Sequence, residues 1–169
     1  MLTVGMVGQN SQDIAQAFLH MHGSTAGCRC ITITDVRQNS PKPDVLVVSE
    51  AAPVLAELIP KMSAENYLVI NADDKAIFPY LSHNCARTIT YGFNNRACIT
   101  ASSISEEGLQ ACIQRAFTSI DGYQRDPQEF TAPGLIIPTH SHTQQAAQKI
   151  ISPEAALAAA AVWAICGKL

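Results

Sequence analysis

The sequence predicts a single α/β domain spanning residues 1–169, built in three layers around a mainly parallel sheet that antiparallel strands extend on one side. Three observations predict it. Between residues 2 and 92, short apolar runs alternate with segments of helical length, the rhythm of parallel strands joined by right-handed crossovers. One run, Tyr67-Leu68-Val69-Ile70, stops abruptly in Asn71-Ala72-Asp73-Asp74. A strand buried on both faces reads as unbroken apolar sequence, and open α/β sheets bind ligands beyond its carboxyl end. After Gly92 the pattern turns to partial alternation, with Asp121-Gly122 as a hairpin signal.

Composition narrows the function classes. With 47% hydrophobic and 15% charged residues, the chain can cover a sheet and is not a disordered tail. A net charge of −3 offers no basic footprint for nucleic acid or an anionic membrane. No apolar run reaches the roughly eighteen residues of a membrane span, and Met1-Leu2-Thr3-Val4-Gly5 has no basic leader region, so a cytoplasmic location is expected. The six cysteines sit mostly singly in apolar runs, where the reduced side chain acts as a small hydrophobe. A disulfide framework is not expected.

In chain order, Leu2–Val7 is the first strand, and Gly5 to Ser11 leads into a helix whose Ile14, Ala15, Phe18 and Leu19 share one face. A glycine turn there aims backbone N–H groups and the positive helix end at a ligand position. Two motifs compete for it. A phosphate loop needs a Lys and a hydroxyl residue after its second glycine, whereas Gly8 is followed by Gln9 and Asn10. A dinucleotide fingerprint needs G-x-G-x-x-G; Gly5-x-x-Gly8 lacks it, although Asp35 ends the next strand at a distance suited to a ribose contact. A tight strand-to-helix turn explains the glycines equally well.

Residues 23–27 read as a loop and residues 29–34 as the second strand. His20 and His22 precede Cys28 and Cys30, all metal-ligating types. Residues two apart on a helix lie roughly 200° apart, and an isolated C-x-C lacks the usual ligand spacing, so no metal site is expected. Residues 39–43 form a Pro-rich connector, residues 44–48 the third strand, and residues 51–62 a helix turning Val54, Leu55, Leu58 and Ile59 inward. The Asn71 strand follows. Its Asn and Asp residues also suit a turn or the cap of the next helix, which spans residues 75–81 and is limited by Pro79. Residues 87–92 make a further strand.

Residues 96–104 and 108–120 read as extended and antiparallel, with a helix over residues 109–117 as the alternative. Pro133-Gly134, His140 and His142 precede a short helix at residues 143–151. The last helix has Ser152 as N-cap, Pro153 at its first position, Glu154 in its first turn and Gly167 as its stop.

Together these features resemble the central, ATP-binding domain of the Mur ligase family, which joins amino acids or peptides to cell-wall precursors, with folylpolyglutamate synthetase as a relative. Gly5-x-x-Gly8 falls at the family's phosphate loop, Asn71-Ala72-Asp73-Asp74 matches its strand-end signature, and Thr88-Ile89-Thr90-Tyr91-Gly92 matches its following strand. The segments up to Pro133-Gly134 look like its antiparallel extension, and Glu154 to Gly167 like its Ala-rich helix. The resemblance implies a Rossmann-like fold and nucleotide contacts at Gly5, Gly8, Gln9, Asn10, Ser11, Asn71, Asp73 and Asp74.

The departures set the expected function. Gln9, Asn10 and Ser11 stand where the family has Lys and two hydroxyl residues; residues 49–58 hold no Asn followed by Asp-His; and the family's His-Asn after Pro-Gly is replaced by the segment with His140 and His142. Within these residues nothing matches the flanking domains that supply the family's amino-acid site. The expectation is a degenerate domain, a pseudoenzyme with no activity as an isolated chain, that binds a nucleotide-like ligand such as ATP or another adenine nucleotide, or a partner protein, and is linked to cell-wall precursor or related amide-ligase metabolism. The alternatives are a subunit of an ATP-dependent amide ligase completed by another chain, an NAD(P)-binding Rossmann protein, and a purely structural or regulatory subunit.

Overall fold

The computed structural model describes residues 1–22, 27–35, 42–105, 108–132 and 151–167. The expected connector at residues 39–43 is described only at its end, and most of the loop at 23–27, Pro133-Gly134, His140, His142 and nearly all of the short helix at 143–151 lie outside the described residues.

Strands β1 (Leu2–Val7), β2 (Cys28–Thr32), β3 (Val45–Val48), β4 (Tyr67–Asn71) and β5 (Arg87–Tyr91) run parallel in the order β5-β4-β3-β1-β2. Every residue of β3 is fully buried, as are Leu68, Val69 and Ile70 of β4. Alternate side chains feed two cores. Val4, Met6, Val45, Val47, Tyr67 and Val69 face one side, under helices α1 (Ser11–His22) and α3 (Pro153–Ile165). Val7, Leu46, Val48, Leu68 and Ile70 face the other, under the short helix α2 (Leu55–Leu58) and the 3₁₀ segments Ile59–Lys61 and Lys75–His83. The result is a mixed α/β domain in three layers.

The capping signals of α3 act as expected: the Ser152 hydroxyl accepts from the Ala155 amide at 3.2 Å, Pro153 sits in the first turn, and Gly167 leaves the helix with a φ of 77°. Ala155, Ala156 and Ala158 to Ala161 are fully buried, because a helix with no side chain beyond Cβ can lie close to both α1 and the sheet.

Some elements differ from the expectation. The helix expected over residues 51–62 shrinks to one turn at Leu55–Leu58 and then tightens into the 3₁₀ turn Ile59–Lys61. Pro60 lacks the N–H that would bond back to residue 56, which removes a rung from an α-helix there. The segment around Pro79 is 3₁₀ for the same reason and runs to His83. The second strand covers Cys28–Thr32, so Thr34 and Asp35 lie beyond its end. Residues 109–117 form no helix.

Beyond β5 the sheet continues through β6 (Ile99–Ser105), β7 (Gly108–Ile113) and β10 (Gln128–Ala132). Strand β6 runs parallel to β5 and touches it through the single pair Tyr91–Ile99, so the antiparallel partners are β7 and β10. The end of β5 meets the start of β6, and Ile99, Leu109, Ala111, Ile113 and Ala132 of β6, β7 and β10 join the core under α3.

A small hairpin of β8 (Phe117–Thr118) and β9 (Gln124–Arg125) turns at Gly122, with a φ of 85°. It covers the end of α3, where the Ile120 amide donates to the Ile165 carbonyl at 2.8 Å, and the start of β4, where the Tyr67 hydroxyl donates to the Thr118 carbonyl at 2.8 Å. Inside it Asp121 accepts from the Ser119 hydroxyl and pairs with Arg125 at 3.2 Å. The Ser119 hydrogen bond, helped by the Tyr123 amide and Arg125, holds the Asp121 carboxyl below its ordinary 3.8. A carboxyl depressed in the folded state adds stability above its unfolded pKa and loses it as pH falls through the folded value. Asp121→Asn should therefore be less stable than wild type at neutral pH, and the difference should close in acid; a pH-independent gap in denaturation midpoint would contradict this role.

Candidate functional site

The carboxyl edge of β1, β3, β4 and β5 carries the residues expected to bind a ligand. Gly5 is set back from it, inside β1 between Ile31 and Leu46. A Cβ there would come within 2.7 Å of Ile33 Cδ1 and 3.0 Å of Pro43 Cβ, so its bare Cα serves packing. Gly8 makes the turn out of β1 with a φ of 118°, and a Cβ on it would overlap Ser49 Oγ and lie 2.9 Å from the Glu50 amide. Conformation and proximity both demand glycine at this position.

The rest of the turn faces inward or is neutral. Ser11 is buried and its hydroxyl donates to the Gly8 carbonyl at 2.6 Å, so that hydroxyl closes the turn. The Asn10 carbonyl accepts from the Ile14 amide at 2.9 Å, the first bond of α1. Gln9 is exposed, its Nε2 3.5 Å from a Glu50 carboxylate oxygen. Gly8 and Gln9, but not Asn10 or Ser11, border a crevice of about 380 Å³ whose lining also includes Thr34, Glu50, Pro53 and Val54. It lies where β1 has β2 on one side and β3 on the other, the switch point of the strand order.

The three polar residues ending β4 hold protein backbone. Asn71 Nδ2 donates to the Ser49 carbonyl at 3.2 Å, and its Oδ1 accepts from the Asp73 amide at 3.0 Å. Asp74 accepts from the Ala51 amide at 2.8 Å with one oxygen and from Ala76 at 3.0 Å with the other, capping the segment Lys75–His83. Asp73 accepts from the Phe93 amide at 2.7 Å and from Asn94 Nδ2 at 2.6 Å. Through Ser49 the structure joins Asn71 to the Gly8 turn, while Asp73 reaches the opposite way, toward the loop after β5.

That loop borders a second, larger cavity, of about 740 Å³, which sequence reasoning missed. Thr88 and Thr90 form its floor, Lys75 and Phe78 one wall, and Arg96 and Arg115 the other. The signal for the floor was present: Arg87-Thr88-Ile89-Thr90-Tyr91 alternates, which marks a strand with one wet face. The cations come from three separate segments and only the fold brings them together.

Cys28 and Cys30 share a face of β2, and burial pushes the Cys30 thiol up to about 12, with Cys28 beside it adding to the shift. That suppresses thiolate chemistry. All six cysteines are free thiols, and His20 is exposed. Among the described residues no three His, Cys, Asp or Glu side chains gather as metal ligands, and no described helix is long and apolar enough to cross a membrane. The chain matches no protein-family model and no curated protein.

Because Asp74 satisfies two backbone amides on different segments, Asp74→Ala should lower stability by about 1–3 kcal/mol, the cost of a lost cap and an unpaired donor. Gln9→Ala, on the exposed side of the turn, should stay within about 0.5 kcal/mol of wild type. Equal effects in urea denaturation would show that the edge is not held by Asp74.

Proposed function

We propose that this chain is a degenerate, non-catalytic domain of Mur ligase-like build that holds a nucleotide-like ligand in the crevice at the Gly8 turn without turning it over. The observation that carries the reading is the pairing of Gln9 with Glu50 at that turn. A triphosphate brings several negative charges, and among the described residues the crevice meets them with a carboxylate and an amide and no cation. The amino end of α1 contributes about 0.3–2 kcal/mol toward an anion. That is too little to replace a lysine and a metal-holding hydroxyl, whose charge-assisted bonds are roughly twice as strong as neutral ones.

The nucleoside end of such a ligand asks for different groups. Glu50 accepts from ribose hydroxyls, and Gln9 offers both a donor and an acceptor to a base edge. The volume is at the small end of ligand pockets, suited to a nucleoside and tight for a dinucleotide. Antiparallel strands β7 and β10 and an Ala-rich last helix are the features that the resemblance implies beyond the parallel strands. A ligand confined to this crevice would leave Asn71, Asp73 and Asp74 in their structural bonds.

Calorimetric titrations of adenosine, ADP and magnesium–ATP, with phosphate release followed in the same samples, test the reading. The expected outcome is weak adenosine binding, weakened further by Glu50→Ala, no gain from added phosphates at this crevice and no turnover. Tight magnesium-dependent ATP binding, with hydrolysis lost in Gln9→Ala, would overturn it in favour of a ligase subunit; no binding of any of the three would favour a partner protein.

A further inference from the structure

The large cavity on the far side of β4 has the opposite chemistry from the Gly8 crevice. Lys75, Arg96 and Arg115 line it, and none of the three is ion-paired among the described residues. In a chain with 11 basic and 14 acidic residues, three unpaired cations around one hollow are a local concentration of charge against the overall sign. Among the described residues Asp73 is the one carboxylate on the lining, and it already accepts from the Phe93 amide and Asn94 Nδ2, so part of its charge is offset.

The groups around the cavity are also held in place. The loop carrying Arg96 is fixed by Asn94, whose Oδ1 accepts from the Arg96 amide at 2.8 Å and whose carbonyl accepts from Ala97 at 3.2 Å. With its side-chain nitrogen turned toward them, the orientation that satisfies both of its polar ends, Gln114 donates to the Asn95 and Ala97 carbonyls at 2.9 and 3.1 Å. Its own amide donates to the Cys98 carbonyl at 2.7 Å, which fixes the segment next to Arg115 against the same loop. On the floor, Thr90 Oγ1 accepts from the Cys98 amide at 2.8 Å, which leaves its hydroxyl proton for an acceptor above it. A loop ordered before binding loses little entropy when a ligand arrives.

We propose that this cavity is a binding site for a small phosphate-bearing anion, distinct from the nucleoside crevice and independent of it. A phosphate group presents oxygens in several directions, which suits cations approaching from three segments, and guanidinium groups match it with two parallel hydrogen bonds. A planar carboxylate offers fewer directions. The volume leaves room for an organic group on the phosphate beside the exposed ring of Phe78, which is 45% accessible.

Inorganic pyrophosphate is the probe, titrated into the intact chain by calorimetry with amide chemical shifts recorded in parallel. Saturable one-to-one binding is expected, with shifts at Asp73 and residues 94–98 and none at Gly8 or Gln9. Lys75→Ala, Arg96→Ala and Arg115→Ala should each weaken it by about tenfold, the loss of one charge-assisted bond in a half-open site. Arg96→Lys should recover part of the loss, and Glu50→Ala should change nothing, which separates this site from the nucleoside crevice. All three cations are exposed, so these variants should keep the wild-type melting midpoint. Binding that is not saturable, that survives Arg96→Ala combined with Arg115→Ala, or that citrate matches would overturn the proposal.

Discussion

The carboxyl edge of the sheet depends on the hydrogen bonds made by three side chains at the end of β4. A parallel strand buried on both faces gains its stability from apolar packing, but where it ends the chain must turn, and the backbone groups of three neighbouring segments arrive without partners. Asn71 takes the Ser49 carbonyl, Asp74 takes the Ala51 and Ala76 amides, and Asp73 takes the Phe93 amide. The half-buried Ala51 amide left without an acceptor would cost about 1–3 kcal/mol, and the exposed Ala76 and Phe93 amides less, since water can replace their acceptors. The exits from β3, β4 and β5 are therefore held as one unit, and the hollows on either side inherit their shape from it.

On the β1 side the unit holds Ser49 and Glu50 against the glycine turn, with the Ser49 amide and hydroxyl both donating to the Val7 carbonyl at 3.0 and 3.2 Å. This proximity forces glycine at residue 8 and places a carboxylate where a phosphate-binding loop would need positive charge. On the β5 side the same unit anchors the step from Tyr91 to Ile99, where the end of β5 meets the start of β6. Thr88 and Thr90 keep a face that no α-helix among the described residues covers, and Lys75, Arg96 and Arg115 line the hollow over it. The sheet thus offers a neutral to acidic hollow at one end and a cationic one at the other, and their chemistry separates what each can hold.

How much of this is legible in the sequence follows from the range of the interactions. Strands β1, β3, β4 and β5 are readable because burial on one or both faces writes itself as apolar runs or alternation, and α3 is readable because its cap, its proline and its stop lie within a few residues of its ends. The helix over residues 51–62 misleads because its apolar spacing is helical, while the missing N–H of Pro60 leaves one α-helical turn followed by one 3₁₀ turn. The parallel start of β6 is hidden because a one-pair contact leaves no periodic trace. Asn71, Asp73 and Asp74 are conspicuous in the sequence, and so is the cap that Asp74 forms; the reach of Asp73 to Phe93 and Asn94 is not, since it spans about twenty residues of chain. The cationic hollow is the least legible, being assembled from residues 75, 96 and 115.

The central claim is that the side chains ending β4 hold the edge together and that ligands lie to either side of them. A crystal structure of the chain grown with adenosine measures this directly. The expected result is adenosine density between Gln9, Glu50 and Thr34, with the Asp73–Phe93 and Asp74–Ala51 hydrogen bonds intact. Density stacked over β4, with Asn71 or Asp73 turned away from its backbone partner and bonded to the base or ribose, would contradict it.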